Sequence, residues 1–175
     1  IEGFFMRDVA DNYIEIVKQR LWQAEVRGQD EMKKAAVTLY HVMYNAMRCF
    51  APFMPYITEE VYQNFFSKFE NEKSIHLTSW PTSEASLVDE GLETRGDGFV
   101  SIVGAIRKYK SEKQVSQKVG ISTLTIECSS EMREFIEDSL EDLRAVSSSD
   151  SVEFGSADIE TGVQDIKISV ELKEE

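Results

Sequence analysis

Cysteine, histidine and proline are scarce in this chain, and each scarcity removes a class of function. The 175 residues hold 2 cysteines, 2 histidines and 3 prolines. Cys49 and Cys128 give neither a zinc-type spacing nor a disulfide framework, so they read as reduced thiols of a cytosolic protein. His41 and His76 are far apart, with no cysteine or second histidine beside either, and no metal site is expected. No apolar run approaches the roughly 20 residues of a membrane-spanning helix. Residue 1 is Ile, no basic-then-apolar leader follows it, and it lies inside an apolar helical pattern. The chain is therefore expected to be part of a longer polypeptide. Glycine is present without a phosphate-binding loop: Gly91, Gly96 and Gly98 follow no predicted strand and read as loop or helix-break residues. Nothing brings Ser, His and Asp together for nucleophilic catalysis. The acid pairs Glu59-Glu60 and Asp89-Glu90 read as helix starts and solvated faces. No cofactor is expected in the chain itself.

What is abundant is apolar and acidic. At 42% apolar residues the chain can bury a sizeable core. The net charge of -13 argues against nonspecific binding to a polyanion. Its distribution is uneven: residues 1–113 carry 14 Lys+Arg against 17 Asp+Glu, residues 114–175 only 5 against 15. The first part is close to balanced and can present a local basic surface. A domain boundary is expected there, with a helical domain over 1–113 and a small acidic α+β subdomain over 114–175.

The periodicity supports that division. Phe5, Val9, Tyr13, Ile16, Val17 and Leu21 predict an amphipathic helix over about 4–24. A second helix over about 30–50 places Ala36, Leu39, Tyr40, Met43, Met47 and Phe50 on its inner face, and Pro52 stops it. Thr58 is the expected N-cap of a third helix running to about Phe69, with Glu59 and Glu60 in its first turn and Ile57 stapled to Tyr62. A polar loop follows, with Trp80 expected to dock on the bundle. Glycines weaken any helix over 87–98, and firm periodicity returns with Phe99, Ile102, Val103, Ile106 and Tyr109. Beyond Gly120, Leu124, Ile126 and Cys128 alternate as a half-buried strand. Ser130 is the expected cap of a helix burying Met132, Phe135, Ile136, Leu140 and Leu143. Val152 and Phe154 suggest a short strand, and Ile166, Ile168, Val170 and Leu172 a last one, with Thr161-Gly162 as the turn before it. The expected fold is mainly α: an antiparallel helical bundle followed by a small β-α-β-β unit.

Two sets of cations are candidates for phosphate contacts. Lys18, Arg20 and Arg27, with Lys33 and Lys34, flank the turn between the first two helices. Trp22 lies among them, either as a stacking platform for an unpaired base or as a bundle-edge aromatic. Arg107, Lys108, Lys110 and Lys113 spread around the end of a later helix. Lys110 and Lys113 continue its apolar stripe and are expected to project from the bundle's end. They serve either as helix C-terminal cations with stems over the core or as RNA contacts.

Four segments carry a family resemblance. DNYIEIVKQRLW (Asp11 to Trp22) looks like a helix of the valyl branch of class Ia aminoacyl-tRNA synthetases. APFMPYITEEVYQ (Ala51 to Gln63), followed by SIHLTSWP (Ser74 to Pro81), is similar to the helix-corner-helix of the class Ia anticodon-binding domain. IRKYKS (Ile106 to Ser111) resembles a later helix of the valyl branch, particularly its archaeal-type members. The corner motif is shared with isoleucyl and leucyl enzymes, so isoleucyl is the rival assignment. The family's His-Ile-Gly-His and Lys-Met-Ser-Lys-Ser motifs are absent, as are its Rossmann and editing domains.

The resemblance implies a noncatalytic module that holds the anticodon stem-loop of tRNA(Val) for a valine–tRNA ligase. ATP and Mg are implied for the parent enzyme alone. The implied partners are tRNA and the remaining synthetase domains, with no membrane, and the chain is expected to be a cytoplasmic monomer. The implied tRNA-binding residues are Lys18, Arg20, Trp22, Arg27, Arg107, Lys108, Lys110 and Lys113. The alternative is a structural module bracing the parent, a reading the acidic tail favours. Apolar surface left by missing domains is expected to promote artificial dimers.

Overall fold

The computed structural model describes residues 1–173. They form two compact units, Ile1–Leu87 and a second that starts at Val88.

The first unit is helical. Residues Phe4–Tyr13 are wound in the wider π sense, and the Asn12 side-chain amide donates to the Arg7 carbonyl oxygen at 2.8 Å. Phe5, Val9 and Tyr13 recur every four residues, a spacing that suits this winding as well as the α-helix the periodicity predicts. The chain continues as α1 (Ile14–Trp22), breaks at Gln23 (φ -123°, ψ 49°), and resumes as the single turn α2 (Ala24–Arg27). Gly28, at φ 92°, supplies the left-handed corner before α3 (Gln29–Phe50).

The next helix, α4 (Pro55–Asn64), starts three residues before the expected cap. Pro55 takes the first helical position, where its fixed φ is favourable and its missing N–H costs nothing. Thr58 is therefore inside the helix. It is buried, its hydroxyl donates to the Met54 carbonyl oxygen at 2.9 Å, and the staple fails because Ile57 is exposed. Short 3-10 turns at Phe66–Lys68 and Ile75–Leu77 follow. The core gathers Tyr44, Met47, Ala51, Tyr62, Phe66 and Ile75. The buried side of α3 also includes Ala35 and Ala46, whereas Ala36 is exposed and Leu39, Tyr40 and Met43 are half-covered. Trp80 does not dock; it is 60% exposed.

The two segments that carry the corner motif meet here. Glu59, on α4, accepts from the Ser74 hydroxyl at 2.8 Å and the Ile75 N–H at 3.1 Å, and from the Gln63 amide at 2.7 Å. Arg48 donates to the Ser79 carbonyl oxygen at 2.9 Å. The Gln63 bond, then those from Ser74 and Ile75, hold the Glu59 carboxyl below its usual range. Because the folded pKa lies below the unfolded one, this stabilisation is complete above the ordinary carboxylate value and is lost as pH falls through the folded one. Glu59→Ala is expected to cost about 2 kcal/mol at neutral pH, the scale of hydrogen bonds to a charged acceptor. Urea unfolding at neutral and acid pH checks it: the gap from wild type should shrink on acidification, and a pH-independent gap would refute the assignment.

The second unit is α+β. The helix α5 (Glu90–Glu112) begins well before the firm periodicity, because Asp89 caps it by accepting from the Leu92 N–H at 2.9 Å. Gly98 lies on its buried side, where a Cβ would come within 2.9 Å of the Ile166 side chain and 3.1 Å of Met132. Next come β1 (Ile121–Glu127), α6 (Ser130–Asp138), α7 (Leu140–Ser147), β2 (Ser149–Phe154), β3 (Ile159–Glu160) and β4 (Lys167–Leu172). The sheet order is β2-β1-β4-β3, with β1 parallel to β2 and antiparallel to β4. Leu124 sits opposite Val152 and Val170, Ile126 opposite Phe154 and Ile168. The expected single helix is two, parted at Ser139, and Ser129 rather than Ser130 caps the first by accepting from the Met132 N–H at 3.3 Å.

The compositional break at residue 113 differs from the break between compact units at Leu87/Val88. The charge balance of α5 resembles that of the preceding residues, but Phe99, Ile102, Val103 and Ile106 are buried and the helix packs on β4, α6 and α7. Burial assigns the helix where charge does not.

Candidate nucleic-acid interface

The first cation set lies where α1, α2 and the start of α3 meet. Lys18 pairs with Glu15 at 3.2 Å, Lys33 with Asp30 at 3.8 Å, and Lys34 with Glu31 at 2.7 Å. Arg20 also reaches Glu31, at 3.0 Å, and Arg27 donates to the Gln19 side-chain oxygen at 3.2 Å. The Lys34 hydrogen bond, with the nearby charges of Arg20 and Arg27, lowers the Glu31 pKa. One carboxylate thus pairs with two cations, Arg20 and Lys34, with the Arg27 charge nearby. Glu31 was not among the candidate residues; its i, i+3 spacing to Lys34 was the available signal. Trp22, last residue of α1, is 80% exposed. It is not a bundle-edge core aromatic within this unit, and its ring face is available for stacking.

The second set divides sharply. Lys110 does not project from the helix end: it is 2% exposed, and its ammonium donates to the Ser147 carbonyl oxygen at 3.0 Å and the Gln117 carbonyl oxygen at 3.1 Å. Ser147 closes α7, so the cation occupies the negative end of a helix other than its own. Burial holds its pKa below the usual lysine value. Lys110 is a structural residue, and its assignment as an RNA contact is corrected. The aliphatic stem extends the stripe of Phe99, Ile102, Val103 and Ile106 inward, which the periodicity indicated without the destination of the charge.

Lys108, Lys113 and Lys118 are exposed and Arg107 half-buried. Lys108 faces Glu112 at 3.9 Å, and Lys113 lies 5.6 Å over the Tyr109 ring. Gln117 donates to the Arg107 carbonyl oxygen at 3.0 Å, folding the loop 113–120 back along α5. That fold adds Lys118, which sequence reasoning missed because it lies beyond the helix. No acid occurs from residue 113 to 126. The end of α5 and its loop form a basic patch on a unit whose residues 88–175 carry a net -10. This patch can position phosphates; in the first unit, the exposed Trp22 ring can by itself stack a base. Among the described residues no group of three or more His, Cys, Asp or Glu can hold a metal ion.

Residues 1–125 match the family described as the anticodon-binding domain of tRNA ligase. The chain belongs to this family. Valine–tRNA ligase of Thermococcus kodakarensis is 41% identical over 125 residues, covering 70% of this chain and 14% of that protein. Valine–tRNA ligase of Wolbachia pipientis wMel is 33% identical over 174 residues, covering 98% of this chain and 19% of the relative. That of Methanopyrus kandleri is 32% identical over 154 residues, 87% of this chain and 16% of its own length. The chain thus spans less than a fifth of these relatives. As an anticodon-binding domain it includes the first unit, α5, the basic loop and most of β1, and the Wolbachia match continues through α6, α7 and the rest of the sheet.

Proposed function

We propose that this chain is the anticodon stem-loop binding module of a valine–tRNA ligase. It positions tRNA(Val) for aminoacylation by catalytic machinery that lies elsewhere in the parent polypeptide. Activation of valine with ATP and Mg belongs to that machinery. The chain is a monomer and the parent works in the cytoplasm, the compartment being supported by the free cysteines Cys49 and Cys128. Membership of the anticodon-binding family over residues 1–125 carries the proposal, and the valyl resemblance across both units favours valine over isoleucine. The contacts assigned to tRNA are Lys18, Arg20, Trp22 and Arg27 in the first unit and Arg107, Lys108, Lys113 and Lys118 in the second.

An anisotropy titration tests it, using a valine tRNA transcript and the same tRNA with an altered anticodon, each at about 50 and 200 mM salt. Tighter binding to the native anticodon is expected. Lys108→Glu combined with Lys113→Glu should weaken both complexes and flatten the salt dependence by about two in slope. Trp22→Ala should cost about 5- to 150-fold in affinity, the range that one stacked base supplies at about 1–3 kcal/mol. Equal binding to both tRNAs that disappears with salt would overturn the reading. It would favour a second one, in which the acidic residues 88–175, net -10, brace another part of the parent.

A further inference from the structure

The second unit is electrically polarised along its length. Residues 88–175 carry a net -10, yet residues 107–126 hold five cations and a single acid. The fold takes this segregation to opposite ends. The strand β1 leaves the loop 113–120 at Ile121, opposite Leu172, and reaches the far end at Glu127, opposite Lys167. The helix α5 spans the same two ends: Gly98 lies against Ile166 and Met132, whereas Lys110 reaches the Ser147 carbonyl oxygen where α7 stops. The loop end presents the exposed Lys108, Lys113 and Lys118. The far end presents Glu90, Glu93 and Asp97 from the first part of α5, Glu131 from α6 and Glu160 from β3, all exposed.

The helix starts account for some of these acids, since Glu90, Glu93 and Glu131 lie in first turns, where the dipole favours negative charge. Asp97 and Glu160 have no such reason. At the same end an open cleft of about 710 Å³ is lined by Glu127, Glu160 and Asp165, which oppose a phosphate entering it. Distance makes the two ends independent. At 1.5 Å per residue, Glu93 and the C-cap Lys113 are about 30 Å apart, roughly three Debye lengths at about 0.1 M salt. The acids therefore scarcely weaken RNA held at the loop end, but they repel a phosphate backbone laid over their own end.

We propose that the acidic end orients the RNA, confining tRNA to the loop end of the second unit and excluding reversed placements, an inference that rests on reading the chain as a tRNA-binding module. Glu93, Asp97, Glu131 and Glu160 then govern specificity without touching RNA in the productive complex.

A photoreactive benzophenone residue in place of Ser111, at the loop end, or of Ser130, at the acidic end, reads where RNA lies; both serines are exposed. Valine tRNA should crosslink from position 111 and not from position 130. Glu93→Gln, Asp97→Asn, Glu131→Gln and Glu160→Gln together should bring crosslinking at position 130. They should also tighten binding of the altered-anticodon tRNA several-fold, while the native complex changes by less than about twofold at about 100 mM salt. Asp97→Asn with Glu160→Gln repeats the measurement without touching the first turn of a helix. Crosslinking from position 130 before neutralisation, or none after it, would overturn the proposal. Equal tightening of both tRNAs would mean uniform relief of net charge and would overturn it too. No preference between the two tRNAs, with crosslinking at position 130 still appearing only on neutralisation, would refute the anticodon reading and leave the orienting role standing.

Discussion

Lys110→Glu should unfold the second unit while leaving the first intact. The substitution places a carboxylate against the Ser147 and Gln117 carbonyl oxygens, at the negative end of α7, in a position 2% exposed. An uncompensated buried charge costs on the order of 3–5 kcal/mol, a large share of the about 5–15 kcal/mol that a domain has. Lys110→Met keeps most of the stem's packing and removes only the hydrogen bonds, so about 1–3 kcal/mol is expected. Lys108→Glu plus Lys113→Glu, two residues before it and three after, should change stability by no more than about 0.5 kcal/mol. Hydrogen exchange resolved along the chain reads all three. Retention of native protection in β1 and α7 of Lys110→Glu would defeat this account of the lysine.

Phe66→Ala should be the corresponding injury to the first unit. Phe66 is 2% exposed, with ring centroids of Phe65 at 5.0 Å, Tyr40 at 5.2 Å and Tyr44 at 5.3 Å. Deleting a buried phenyl ring costs about 3–5 kcal/mol through lost transfer energy and the cavity left behind. Urea unfolding should show the lower midpoint with little change in slope. Phe69→Ala, one helical turn on but 69% exposed, should cost far less in this chain. Comparable losses at both positions would mean that the aromatic cluster is buried differently from the arrangement described.

Much of the fold is readable from local chemistry. Pro52 marks the end of α3, strict alternation marks β4, and the expected order β-α-β-β is found with the helix divided and one further short strand, β3, inserted before the last. What escapes the sequence depends on partners distant along the chain. A lysine continuing an apolar stripe has the same one-dimensional pattern whether its ammonium reaches solvent or the end of α7. Thr58 is a plausible cap until Pro55 is seen to start the helix earlier. The assignment of α5 to the second unit is set by the neighbours of Phe99 and Ile106, and charge balance carries no information about them. The candidate site was legible as residue types near helix ends. Its grouping was not: Lys118 joins through a loop fold, and Glu31 gathers its cations across a break in the helix.

Trp22 and Trp80 are the only tryptophans, both lie in the first unit, and they are 80% and 60% exposed. The native emission spectrum should therefore already resemble that of indole in water. Denaturation followed by intrinsic fluorescence would give a small signal from the first unit and no tryptophan signal originating in the second. Circular dichroism would register both units, so the two optical methods should disagree on midpoint whenever the units melt separately. The same exposure makes quenching of this emission a direct optical readout of any base that stacks on Trp22.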